Sequence, residues 1–119
     1  MKISLIITMI LLSSCVTQNP KYIQGYIYTI ENNPIEGIKI QDPNNIKILS
    51  YTNSKGYFRI NQMIKGRLLY VLQNNKKIDS IYIVTTHPEK GANYNFVEGK
   101  KDTLFINLNK VTSPNNLYN

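Results

Sequence analysis

Apolar residues recur along this chain with a period of two, in short runs separated by clusters of Asn, Pro, Gly and Lys, and that alternation predicts strands. The first run covers 21–30, where Ile23, Gly25, Ile27 and Thr29 share one face and Tyr22, Gln24, Tyr26 and Tyr28 the other. After the turn cluster Glu31-Asn32-Asn33-Pro34, residues 35–41 resume the alternation with Ile38 and Ile40 inward and Lys39 and Gln41 outward. A second breaker, Asp42-Pro43-Asn44-Asn45, precedes 46–51, whose parity is mixed: Ile46 and Ile48 oppose Leu49 and Tyr51. This pattern requires a bulge near Leu49 or a strand apolar on both faces.

Residues 52–60 read as a β-hairpin around the polar turn Asn53-Ser54-Lys55-Gly56. The Asn53 side-chain oxygen can accept from the N–H of Lys55 or Gly56, and Gly56 can take positive φ without a Cβ clash. Beyond it, Phe58 and Ile60 point inward and Tyr57 and Arg59 outward, so Phe58 is expected to anchor the core. The continuous apolar run 67–73 suits a central strand, and 78–85 follows with Ile81 and Ile83 on one face. Residues 86–101 are polar, contain Pro88, Gly91 and Gly99, and read as a long loop. A last strand is expected at 102–109, with Leu104, Ile106 and Leu108 alternating, and 111–119 reads as a flexible tail. Seven strands with turn clusters between them predict an all-β fold, a seven-stranded antiparallel Greek-key sandwich occupying 21–110.

The chain begins Met1-Lys2, followed by an apolar run over 3–12 and then small residues, the pattern of a signal peptide ending at residue 14. The run is too short to favour a retained membrane span. Leu12-Ser13-Ser14-Cys15 resembles the bacterial lipobox, which implies that the Cys15 thiol is lipidated and that Cys15 becomes the first residue of the mature chain. Cys15 is the sole cysteine, and lipidation accounts for an otherwise unexplained thiol. Two or three acyl chains hold a protein on a membrane, at about 0.8 kcal/mol per buried CH₂. Residues 15–20 then form a lipid-anchored spacer without acidic residues. Lipoproteins bound for the cell surface in some Gram-negative groups carry acidic residues there, so the expected location is the outer membrane, facing the periplasm.

A formal net charge of +7 changes this picture little, because the excess is scattered and its densest points are the pairs Lys76-Lys77 and Lys100-Lys101. Solubility is the first reading, attraction to anionic headgroups the second, and an exported protein meets little nucleic acid. Catalysis is not expected. A zinc peptidase needs about three protein ligands and a general base, and the chain has a single histidine, His87. His87 reads first as a solvated loop residue and second as a ligand beside Glu89 or a pH-sensitive contact. No metal or cofactor is expected.

Gly25-Tyr26-Ile27, Asn33-Pro34-Ile35-Glu36-Gly37-Ile38-Lys39-Ile40 and the 52–60 segment together resemble the carboxypeptidase regulatory-like domain. The resemblance covers about 22–72 and implies a transthyretin-like β-sandwich, an accessory module with no peptidase active site. Asn53 stands where the family usually has Asp, which keeps the turn acceptor and removes a charge. The transthyretin-like purine-pathway hydrolases depend on several histidines and a C-terminal tetrapeptide that this chain lacks.

Candidate binding residues are the stripe Tyr22, Tyr26 and Tyr28, with His87 and Tyr94 in the 86–101 loop. Tyrosines at strand spacing more often cover a sheet face, and they can also stack on glycans or on another protein. The expected function is that of a non-catalytic, membrane-tethered binding or scaffold lipoprotein of the cell envelope, with an envelope protein or glycan as partner. The alternative is an adaptor or immunity-type protective lipoprotein associated with a secretion system or toxin, and a minor enzyme using His87 and neighbouring carboxylates is the last reading.

Overall fold

The computed structural model describes residues 19–108; the 1–14 leader, Cys15, the spacer before Asn19 and the 111–119 tail lie outside the described residues. The described chain forms β1 (Ile23–Thr29), β2 (Lys39–Asp42), β3 (Asn45–Tyr51), β4 (Tyr57–Ile60), β5 (Leu68–Gln73), β6 (Lys76–Tyr82), β7 (Val84–His87), β8 (Gly91–Tyr94) and β9 (Thr103–Ile106). The architecture is all-β. A three-stranded sheet has the order β4-β1-β9, a four-stranded sheet the order β3-β2-β5-β6, and β7-β8 stand apart as a ribbon. Among the described residues no helix is long and apolar enough to cross a membrane.

One core joins the two larger sheets. Ile23 and Ile27 of β1, Phe58 and Ile60 of β4 and Ile106 of β9 meet Ile40 of β2, Leu69 and Val71 of β5 and Ile81 of β6. These are the inward positions of the period-two pattern, and sheets apolar on one face bury it against each other as in a β-sandwich. Each such side chain contributes about 1.5–3 kcal/mol on burial, offset by the entropy of ordering the chain.

The 52–60 segment is not a hairpin. β3 lies in the four-stranded sheet and β4 in the three-stranded one, where β4 pairs antiparallel with β1 in the register Gly25↔Phe58 and Tyr26↔Tyr57. The chain changes sheets between Thr52 and Gly56. Thr52 still donates its N–H to the Ile38 carbonyl at 2.9 Å, while the next N–H, that of Asn53, goes to the Tyr57 carbonyl at 2.9 Å. Asn53 Oδ1 accepts from the N–H groups of Lys55 at 2.9 Å and Tyr57 at 3.1 Å. Gly56 sits at φ 75°, and its carbonyl accepts the Ile27 N–H at 2.8 Å, which docks the turn on β1. A turn of this kind fixes a reversal of direction. It carries no information on whether the strands it joins pair with each other or face each other across a core.

Other departures have equally local causes. The strand expected at 78–85 ends at Tyr82, and its last two residues, Val84 and Thr85, join the first part of the expected 86–101 loop in the β7-β8 ribbon, paired from Val84↔Tyr94 to His87↔Gly91. Its outer part is exposed, so no buried face imposed an apolar alternation. This ribbon brings the described strands to nine where seven were expected. The sandwich is also not wholly antiparallel, because β9 runs parallel to β1 in the register Tyr26↔Thr103 to Thr29↔Ile106. The chain enters β9 beside the start of β1, where Gln24 and Tyr26 donate their N–H groups to the Phe96 and Asp102 carbonyls, each at 2.9 Å. From there it can only follow β1 in the same direction.

The mixed parity of 46–51 is resolved by a register shift. Gln41 pairs with Leu49 but Asp42 with Asn45, so the irregularity lies directly before Leu49. A second shift, from Val71↔Asp79 to Leu72↔Lys77, leaves Ile78 as the extra residue of β6. Ile78 and Ile81 have opposite parity, and the added residue lets both pack against the core.

Candidate functional site

β1 is the middle strand of its sheet, so its outward residues line up with those of β4 on one side and β9 on the other. The Tyr26 and Tyr57 rings lie 5.4 Å apart at 56°, Tyr26 and Tyr28 6.0 Å apart at 84°, and Tyr28 and Phe105 6.3 Å apart at 85°. One aromatic band thus crosses the three strands. Such tilted and edge-to-face pairs add about 0.5–1.5 kcal/mol each beyond their burial.

At the start of β1 the band opens into a groove of about 890 Å³ that contains Tyr22, Tyr26, Tyr57, Arg59, Lys55 and Lys101 in its lining. The Arg59 guanidinium carbon stands 3.8 Å from the centre of the Tyr22 ring. This cation–π contact holds the guanidinium against the ring, and Arg59 Nε also donates to Asn61 Oδ1 at 2.7 Å. The floor is tied together. Tyr57 Oη donates to Gln24 Oε1 at 3.0 Å, and Gln24 Nε2 donates to the Lys100 carbonyl at 2.9 Å. Gln24 is consequently buried although it lies on the outward face of β1. The described residues lining the groove carry three cationic side chains and no carboxylate.

Of the residues expected to bind, Tyr22 and Tyr26 line this groove and Tyr28 continues the aromatic band away from it. His87 and Tyr94 do not join them. His87 pairs with Gly91 at the tip of the ribbon, beside a shallow pocket shared with Pro88, Glu89 and Lys90, and its side chain is exposed. Tyr94 pairs with Val84 at the ribbon's base and packs against the core. No group of three or more His, Cys, Asp or Glu among the described residues is arranged to hold a metal ion. Cys15 lies outside the described residues.

Tyr57 and Arg59 complete the groove and were not among the expected binding residues. Their outward parity is legible in the sequence, but their position beside Tyr26 and Gln24 follows from the pairing of β4 with β1. Local pattern does not identify a strand's partner. No family model, curated protein or solved structure matches this chain.

Proposed function

We infer that the chain is a non-catalytic binding module of the bacterial cell envelope, held at a membrane through lipidated Cys15, and that it engages its partner on the outward face of the β4-β1-β9 sheet. The observation that carries this reading is the placement of the Arg59 guanidinium over Tyr22 at the wall of a groove whose lining includes aromatic rings and lysines. Aromatic and arginine side chains offer contact area and fixed donors at a small entropic cost, which suits recognition. A transthyretin-like Greek-key sandwich of the carboxypeptidase regulatory-like type is part of the same proposal. Its support is the division of strands, with the first, fourth and last opposite the second, third, fifth and sixth, and the ribbon standing apart.

The test is affinity capture from detergent-solubilised envelopes with the full chain immobilised. The expected result is specific retention of an envelope protein or glycan that Arg59→Gln abolishes. Retention that is the same with Arg59→Gln, or none at all, rejects this face as the binding surface.

A further inference from the structure

We propose that the groove at the start of β1 binds an acidic polysaccharide, with sugar rings against Tyr22, Tyr26 and Tyr57 and carboxylates on Arg59, Lys55 and Lys101; this rests on the binding-face reading above. The backbone of β1 is already paired on both edges, by β4 on one side and by β9 with the segment leading into it on the other. A ligand lying over β1 therefore cannot be held as an added strand, and recognition must come from side chains. Those side chains are of two kinds: rings with polar tips, and cations without a lining carboxylate to neutralise them.

Ring geometry discriminates among anionic polymers. The 56° tilt between Tyr26 and Tyr57 and the near-perpendicular Tyr28 present a corrugated surface, and one face of Tyr22 is covered by Arg59. Flat bases need open stacking platforms. A puckered sugar ring, with C–H groups on its faces and hydroxyls around its edge, fits between angled rings and reaches polar tips such as the Tyr57 hydroxyl. The lysines and the guanidinium then select carboxylate-bearing sugars over neutral ones, Arg59 by charge-assisted and bidentate hydrogen bonds. The excess of basic over acidic residues draws a polyanion toward the protein as a whole, and the groove supplies the specific contacts.

The experiment is affinity electrophoresis of the full chain in detergent, with polygalacturonate, neutral dextran or oligothymidylate in the gel. Polygalacturonate is expected to bind at least about tenfold more tightly than dextran or oligothymidylate, and Arg59→Gln, Lys101→Gln and Tyr22→Ala each to weaken it about tenfold. Oligothymidylate binding as tightly as polygalacturonate overturns the inference in favour of unselective polyanion attraction. Equal binding of dextran overturns the role of the cations. If no polymer binds while envelope capture still depends on Arg59, the polysaccharide falls and the binding face stands. If polygalacturonate binding and envelope capture are both unchanged by the variants, both readings fall.

Discussion

Gly25 and Phe96 are packed so closely that a Cβ on Gly25 would lie 2.5 Å from Phe96 Cδ1, and 2.9 Å from the Asp102 carbonyl oxygen. The Phe96 ring stacks on Phe58 with centroids 6.4 Å apart, and the Phe96 N–H donates to Asp102 Oδ2 at 2.6 Å. The segment that delivers the chain to β9 is thereby laid directly on β1, and only glycine leaves room for it. Gly25→Ala is expected to cost about 1–3 kcal/mol in urea unfolding. Combining it with Phe96→Ala should cost less than the sum of the single changes, because the second removes the ring that the new methyl meets. Additive costs would place the strain elsewhere.

Thr52 marks the point where the chain leaves the four-stranded sheet. It is 3% exposed, and its hydroxyl donates to the Ile35 carbonyl at 2.7 Å while accepting the Ile38 N–H at 2.9 Å. Thr52→Val keeps the shape and removes both bonds, which should cost about 1–3 kcal/mol. In thermal unfolding that corresponds to a fall in Tm of roughly 4–8 °C per kcal/mol for a domain of this size. Thr52→Ser retains the hydroxyl and should recover most of the loss.

The crossover turn separates two requirements, an acceptor at Asn53 and an absent side chain at Gly56. Asn53→Asp preserves the acceptor for Lys55 and Tyr57 and should leave stability within about 0.5 kcal/mol, whereas Asn53→Ala should cost about 1–2 kcal/mol. Gly56→Ala should exceed both, since a Cβ there would stand 2.6 Å from the Ile27 carbonyl oxygen at a φ of 75°. Chemical denaturation of the three variants gives the order directly. Gly56→Ala as benign as Asn53→Asp would contradict the docking of the turn on β1.

Native-state hydrogen exchange should divide the strands by their burial. The Thr86 and His87 strand positions and most of β8 are exposed, so ribbon amides are expected to exchange orders of magnitude faster than those of β1 and β5. His87→Ala should then change global stability by no more than about 0.5 kcal/mol. Ribbon protection equal to that of β1 would show that it folds with the sandwich as one unit.

The inner faces of the strands were legible where buried positions sit in a period-two frame: Ile23 and Ile27, Ile38 and Ile40, Phe58 and Ile60, Ile81 and Ile83 are all buried as the alternation requires, whereas buried Gln24, on the outward face, and Val97, outside the strands, lie off that frame. The Asn53 turn was legible for a similar reason, since its acceptor and its glycine lie within four residues and act through local bonds. The ribbon was not, because exposed strands are under no pressure to alternate. Half of the groove was visible as the Tyr22 and Tyr26 stripe. Its other half, Tyr57 and Arg59, lies about thirty residues along the chain and reaches the stripe only through a long-range pairing.

By itself the sequence determined that this chain is built of strands, which face is buried in those with a clear alternation, and where turn residues reverse the chain, since periodicity and turn chemistry act over a few residues. The tertiary structure decided that β3 and β4 separate into opposite sheets, that β9 lies parallel to β1, and that Arg59 stands over Tyr22. These are choices among partners that share the same apolar alternation. They are settled by which arrangement fills a single core while leaving no buried side-chain polar atom among the described residues unpaired.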